Sequence, residues 1–336
     1  MPERQQLTPL GLYAEDQSGR KLRCTLCPHN CLIRPDTRGF CGVRENVDGQ
    51  LHLPFYAAAS AVAVDPIEKK PLYHFLPGSQ VLSIGFLGCS LRCPFCQNYR
   101  ISQSTTGHTE PVMPDALVAR ALEYGVPAVA YTYNEPTIHL EYVLEASRLA
   151  HTAGLKNVLV TAGYLNETPA RELFQVIDAA NIDLKSFNEK FYRQELRAGL
   201  PEVRRTIEIA ASLTHVEITT LLIPGKNDSD EEMDAISRFI ADINPDIPLH
   251  LSAYYPTYKY TAVATPPQRL RSRMDIARRY LHYVYPGNVR LDADTSCPGC
   301  GTTVVRRTGF RSEVVGLTAE TPPACTTCGH TIPVVR

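Results

Sequence analysis

Eleven cysteines fall into three groups along the 336-residue chain. Cys89, Cys93 and Cys96 lie in GFLGCSLRCPFCQN (85–98) with C-x3-C-x2-C spacing. Cys297 and Cys300, then Cys325 and Cys328, form two matching C-x2-C-G knuckles. Cys24, Cys27, Cys31 and Cys41 follow the spacing C-x2-C-x3-C-x9-C. An odd total cannot pair into a complete disulfide framework, so the grouping points to thiolate–metal sites. Three thiolates leave a coordination position open, as catalytic metal sites do. A [4Fe–4S] cluster normally takes four thiolates, so three close together on one loop would leave one iron free for a small-molecule ligand. A structural zinc site or reduced core thiols is the competing reading of this triad.

The elements that would position the triad read as alternating strands and helices. Apolar, β-branched runs at 81–88, 127–133, 157–163, 181–185, 215–223 and 248–254 read as strands. Between them, Ser229 and Glu232 form a capping-box pattern ahead of a stripe of Met233, Ile236 and Ile240. Thr168-Pro169 marks another helix start, and Leu140, Val143, Leu144 and Leu149 form an inward stripe. Such alternation implies an α/β fold with parallel pairing, expected as an open partial (βα)6 barrel. The expected division is a Cys-rich segment 1–55, a barrel 56–290 and a small module 291–336.

Barrel enzymes collect chemistry at the C-terminal ends of their strands. The triad follows the first strand, and Glu135 follows the second in YTYNEPT. TAGY (161–164) ends the third, with a glycine that permits close backbone approach. Asp183 and Lys185 share one face of the fourth strand, where they could act at the mouth or simply pair with each other. His250 lies on the sixth strand, with a structural and a ligand-contacting reading both open. The run DPIEKK (65–70) reads as a solvated charged turn within a polar connection, and YYPTYKY (254–260) as packing at the mouth.

The two C-terminal knuckles, separated by VVRRTGFRSEVVGL, read as a hairpin carrying a tetrahedral four-cysteine site of the zinc-ribbon type. Rubredoxin-like iron is the chemical alternative. The N-terminal set lacks bacterial ferredoxin spacing and is open to zinc or an auxiliary iron–sulfur cluster, with His29 able to replace one cysteine.

Several long segments carry a family resemblance: CTLCPHNCLIRPDTRGFCGVR (24–44), DPIEKKPLYHFLPGS (65–79), GCSLRCPFCQNYRISQ (88–103), YTYNEPTI (131–138), DLKSFNEKFYR (183–193) and IPGKND (223–228). Together they make the chain similar to the pyruvate formate-lyase activating enzyme-like branch of the radical S-adenosylmethionine (SAM) superfamily. Within that branch it resembles the radical SAM component of the AmmeMemoRadiSam system. The resemblance implies a [4Fe–4S] cluster on Cys89, Cys93 and Cys96 whose free iron chelates the methionine part of SAM. Reductive cleavage of SAM would then yield a 5′-deoxyadenosyl radical that abstracts hydrogen from a substrate the resemblance does not identify. It places Glu135, with Phe95, Asn98 and His250, at the cofactor, and Asp183 and Lys185 at the catalytic centre. It also implies an electron donor such as a flavodoxin or ferredoxin, and partners of the Memo-like and AmmeR-like kinds. Ser90 and TAGY depart from side chains common in relatives near the SAM pocket. Two other functions compete: a glycyl-radical-enzyme activase, and an iron–sulfur or zinc electron carrier or scaffold.

Composition narrows the partners. A net charge of −1 and a pI near 6.8 give no general electrostatic attraction to nucleic acid or anionic membranes. Arg306, Arg307 and Arg311 form only a local basic patch. No apolar run reaches the roughly 20 residues of a membrane span, and MPERQQLTPLGLYAEDQ lacks the apolar region of a secretory signal. The expectation is a cytoplasmic protein.

Overall fold

The computed structural model describes residues 9–336, so the first eight residues of the expected N-terminal segment, and of its signal-free start, lie outside the described residues. Eight strands form the central sheet: β1 (Ala61–Pro66), β2 (Gln80–Gly85), β3 (Ala128–Tyr131), β4 (Lys156–Thr161), β5 (Ala179–Asp183), β6 (His215–Leu222), β7 (Leu249–Ala253) and β8 (Val284–Gly287). They lie in chain order across the sheet. Strands β2 to β8 are parallel, and β1 pairs antiparallel with β2. All six strands read from sequence are present. The sheet adds β1, inside the stretch read as a polar connection, and β8, beyond the last one read. Both are edge strands carrying a proline, a residue that suppresses the strand signal but is tolerated where a ladder ends.

Six helices follow strands β2 to β7 in turn: α1 (Pro114–Glu123), α2 (Leu140–Thr152), α3 (Glu167–Phe174), α4 (Leu200–Ala211), α5 (Asp230–Ile243) and α6 (Pro267–Ala277). The Ser229 hydroxyl caps α5 by accepting from the Glu232 amide at 3.1 Å. Glu232 does not return the bond; its carboxylate takes the Phe187 amide and the Ser186 hydroxyl instead. Helix α3 begins at Glu167, two residues earlier than a Thr168 cap with Pro169 as first helical residue implies. Its N-cap, Asn166, donates its side-chain amide to the Thr25 carbonyl and Asn30, so the cap serves the N-terminal segment. On α2, Leu140, Val143 and Leu144 are buried, but Leu149 is exposed, because the inward stripe continues through Ser147 and Ala150 and Leu149 falls on the opposite side of the helix.

The sheet is buried on both faces, as parallel sheets require. Helices cover one face. On the other, Ile67, Leu72 and Phe75 pack against Val81, Ala128, Ala130, Val158 and Ala179. The small alanines on β3 and β5 make room for this segment. Below it, Glu217 of β6 is fully buried and accepts the Tyr73 amide at 2.9 Å and the His74 amide at 2.7 Å. The same carboxylate pairs with His250 at 2.6 Å and His215 at 3.1 Å.

The C-terminal module docks on this hub. Its sheet is β9 (Thr295–Ser296), β10 (Thr303–Thr308) and β11 (Arg311–Val314), with β10 and β11 forming the expected hairpin. Arg307 of β10 donates to the Tyr73 carbonyl at 2.7 Å, while the His74 ring meets the Tyr285 hydroxyl at 2.6 Å and the Pro333 carbonyl at 3.2 Å. The N-terminal segment is less loop-rich than its sequence reads: Ala14–Gln17, Lys21–Cys24 and Leu32–Ile33 form one antiparallel sheet, and Thr37–Arg38, Glu45–Val47 and Gln50–His52 another. Among the described residues, no helix is long and apolar enough to cross a membrane.

Burial would raise the Glu217 carboxyl, but hydrogen bonds and charge from His215 and His250 hold it well below the ordinary range. A depressed folded pKa contributes stability that is complete above the unfolded value of about 4.3 and is lost as pH falls toward the folded one. Glu217→Ala is expected to lower the unfolding free energy by about 3–5 kcal/mol at neutral pH, as for a broken buried ion pair. Urea titrations should show this deficit shrinking below pH ~4, as protonation removes the carboxylate's contribution from the wild type.

Candidate metal and cofactor site

The cysteine loop leaves the C-terminal end of β2 through buried Phe86 and Leu87. Gly88 has φ +84°, and a Cβ there would come within 2.7 Å of the Cys41 carbonyl oxygen, so only glycine admits the N-terminal segment this closely. The Leu91 amide donates to Cys89 Sγ at 3.3 Å, and Cys96 Sγ lies 3.1 Å from the Ser102 hydroxyl. Burial pushes the Cys89 thiol well up, reinforced by the Glu135 carboxylate. Burial likewise pushes Cys93 up to about 12, with Lys185 opposing it and Asp183 adding to it. Free thiols would therefore be protonated at neutral pH, and only a bound cation would draw out the thiolates. Three soft donors with an amide aimed at one sulfur suit an iron–sulfur cluster.

The loop after β3 is joined to the cysteine loop. Asn134 accepts the Phe86 amide at 3.0 Å and donates to the Gly88 carbonyl at 3.0 Å, and Asn98 donates to the Tyr133 carbonyl at 2.7 Å. Glu135 is buried, near enough to Cys89 for its charge to raise that thiol. Its Oε1 accepts from Thr161 at 2.6 Å and Thr137 at 2.8 Å, while Oε2 accepts only the Ala162 amide, at 2.8 Å, leaving capacity for another donor. Burial raises its pKa, and these bonds from Thr161, Ala162 and Thr137 oppose the rise.

Asp183 and Lys185 pair at 2.7 Å and lie close enough to Cys93 to influence it. Phe95 is buried among the Phe191 and Tyr260 rings, so its role is first a packing one. The structure thus gathers Glu135, Asn98, Phe95, Asp183 and Lys185 around the cysteine loop. It does not bring His250 there. That imidazole lies at the second residue of β7, toward the opposite end of the sheet, bound to Glu217. A fully buried carboxylate needs cationic or donor partners, and His250 is one of them.

The DPIEKK run is not a solvated turn. Asp65 and Lys70 are buried and pair at 2.6 Å, Lys69 reaches Asp65 at 2.8 Å from a half-exposed position, and the Tyr133 hydroxyl donates to Asp65. Burial would raise Asp65, but bonds from Lys69, Lys70 and Tyr133 outweigh it and hold the carboxyl below the usual range. Sequence reasoning missed this pair; the apolar residues flanking the charges were the available signal. Ser83, Asn181 and Thr219 each bury a side-chain oxygen without a partner, and strand alternation puts them on the helix-free face.

The flanking cysteine groups differ in geometry. Cys297 and Cys328 sulfurs are 3.6 Å apart, Cys300 and Cys325 sulfurs 3.7 Å, and all four lie within 4.8 Å of one another. Zn–S bonds of about 2.3 Å give a tetrahedral S···S edge of ~3.8 Å, so the four fit a single ion. In the N-terminal group Cys24, Cys27 and Cys41 are buried and Cys31 partly so. His29 does not replace a cysteine: its Nε2 bonds the Ser90 carbonyl at 2.7 Å and its ring packs on Phe40 at 4.0 Å.

Residues 83–239 match the model of the Radical SAM superfamily. An uncharacterized protein of Methanocaldococcus jannaschii is 38% identical over 96% of this chain and 98% of its own length. The pyruvate formate-lyase 1-activating enzyme of Escherichia coli is 26% identical over 56% of this chain and 79% of its own length. In fold, the chain is similar to a radical SAM methyltransferase from Sphaerobacter thermophilus, with a TM-score of 0.51 at 17% identity, covering 65% of this chain and 68% of that one. With the cysteine loop at the end of the first parallel strand, the family match and the likeness to the activating enzyme identify residues 83–239 as a radical SAM domain and the protein as a radical SAM enzyme.

Proposed function

We propose that the protein reductively cleaves SAM at a [4Fe–4S] cluster held by Cys89, Cys93 and Cys96, and uses the radical to take hydrogen from a small polar substrate. The observation that carries this reading is the buried Glu135 carboxylate, near enough to Cys89 to raise its thiol further, with one oxygen accepting a single bond. Cys89, Cys93 and Cys96 would hold the cluster, which would supply the one electron needed to break the C5′–S bond of SAM and release methionine. Glu135 would accept the ammonium group of SAM, and the tight bonding of Asn134 to the cysteine loop holds that carboxylate in register with it. Asn98 and Phe95 would line the cofactor. Lys185 stays cationic, because the Asp183 carboxylate outweighs the effect of its burial, and the pair would face the reacting end. Ser83, Asn181 and Thr219 offer unpartnered polar atoms to a substrate on the same sheet face.

The remaining assignments follow the family resemblance. In this reading the strands curve into a partial barrel. The C-terminal four-cysteine module holds zinc. A flavodoxin or ferredoxin supplies electrons, Memo-like and AmmeR-like proteins are system partners, and the enzyme works in the cytoplasm. The likeness to the Escherichia coli activating enzyme favours one second reading, in which the substrate is a glycine of a partner protein.

Anaerobic enzyme reconstituted with iron and sulfide, given SAM and dithionite, should form 5′-deoxyadenosine. Chromatography should find none with the Cys89→Ala/Cys93→Ala/Cys96→Ala variant. Product persisting in the variant, or absent from cluster-loaded wild type, would sink the reading. Glu135→Gln removes a charge-assisted bond worth about 1.5–3 kcal/mol, so equilibrium dialysis should find SAM bound about ten- to hundredfold more weakly. Cys297→Ser/Cys325→Ser should lose zinc by elemental analysis and leave 295–336 open to trypsin, because so small a module folds with its metal.

A further inference from the structure

The N-terminal cysteines and the cysteine loop form one continuous packing unit. The Cys41 carbonyl lies against Gly88, the residue before Cys89. His29, between Cys27 and Cys31, donates to the carbonyl of Ser90, the residue after Cys89. Arg92 links the sides, donating to the Cys89 carbonyl at 2.8 Å and to the Phe40 carbonyl while its guanidinium covers the Phe40 ring at 4.0 Å. A site whose only task was to fold residues 9–55 would not need three contacts converging on the residues around Cys89.

The sulfur spacing separates the two metal classes. Among the described residues, only Cys297, Cys300, Cys325 and Cys328 bring three or more ligand atoms within 4.8 Å of one another. Neither Cys24, Cys27, Cys31 and Cys41 nor the Cys89, Cys93 and Cys96 triad is drawn so tightly. Thiolates on one zinc sit ~3.8 Å apart, whereas thiolates on a cluster lie outside a core of several irons and sulfides and stand wider. The N-terminal group thus shares the open spacing of the triad. Amide-to-sulfur bonds occur in all three cysteine groups; here the Phe40 amide donates to Cys31 Sγ at 3.3 Å, as Leu91 does to Cys89 at 3.3 Å. Such bonds tune iron–sulfur potentials.

We propose that Cys24, Cys27, Cys31 and Cys41 hold a second iron–sulfur cluster, not zinc, and that it passes electrons to the cluster on Cys89, Cys93 and Cys96 across the Phe40–Cys41 contact. It takes one electron from a reduced flavin or iron–sulfur protein and is reoxidised by giving that electron to the catalytic cluster. The catalytic cluster in turn delivers it to the SAM sulfonium, whose C5′–S bond breaks. The relay rests on the radical SAM reading; the identity of the metal does not.

The test uses the full chain carrying Cys89→Ala/Cys93→Ala/Cys96→Ala, reconstituted anaerobically with iron and sulfide. About four irons per chain and a cluster Mössbauer signal are expected, both lost when Cys27→Ser/Cys41→Ser is added. Zinc at the N-terminal group, or no metal there, overturns the proposal. If the triple variant misfolds by circular dichroism, Cys27→Ser/Cys41→Ser alone gives the same answer, halving the wild-type iron count. For the relay, electron paramagnetic resonance of the dithionite-reduced wild type should show the broadening of two interacting spins, absent from the Cys27→Ser/Cys41→Ser variant. Identical catalytic-cluster signals in both would overturn the relay while leaving SAM cleavage intact.

Discussion

A carboxylate sealed from water, Glu217, fixes the end of the sheet opposite the cysteines. An anion there is tolerable only if every lone pair is engaged, and Glu217 recruits two backbone amides and two imidazoles. Those partners come from different parts of the chain, so meeting its needs also sets tertiary structure. The Tyr73 and His74 amides bring the 67–75 segment across the helix-free face. His250 ties β7 to β6. His74 and Tyr73 then become the docking points for Tyr285 and Arg307, so the C-terminal module is positioned by the same charge.

The cysteine end is organised by close approach. Gly88 lets the Cys41 backbone abut the loop, and Asn134 bonds the loop to the strand end that carries Glu135. Burial leaves the thiols reluctant to ionise without metal, so metal binding and the ordering of this end are coupled. Rigidity is thereby placed at the strand ends that meet the cysteine loop.

Much of this was legible in the sequence. The six strands between Val81 and Ala253 and three of the helices between them, α2, α3 and α5, followed from period and composition, and the cysteine groups followed from spacing alone. What escaped depended on pairing across distance. β1 and β8 were hidden by prolines, which forbid central strands yet suit edges. His250 stood among strand-end residues by sequence position, but its direction was decided by Glu217, a residue that periodicity reads as one polar position in an apolar run. DPIEKK has the composition of a surface turn, and only the fold shows Asp65 and Lys70 facing each other in the interior. Local pattern reports what a residue prefers, and a buried ion pair is a preference overruled by its partner.

That pair also connects the two ends. Asp65 lies on β1, one residue beyond a start at Ala61–Val64 that is largely open to solvent, and its carboxylate is held by Lys69, Lys70 and the Tyr133 hydroxyl. Lys70 also rests over the Tyr133 ring at 4.7 Å. Tyr133 has φ +72°, a left-handed backbone that side chains adopt at a cost. The turn it makes delivers Asn134 to the cysteine loop and Glu135 to its partners Thr161 and Ala162. The buried Asp65–Lys70 pair therefore acts one step behind the candidate site: it secures the tyrosine that bends the chain, and the bend sets how the loop that carries Glu135 meets the cysteine loop.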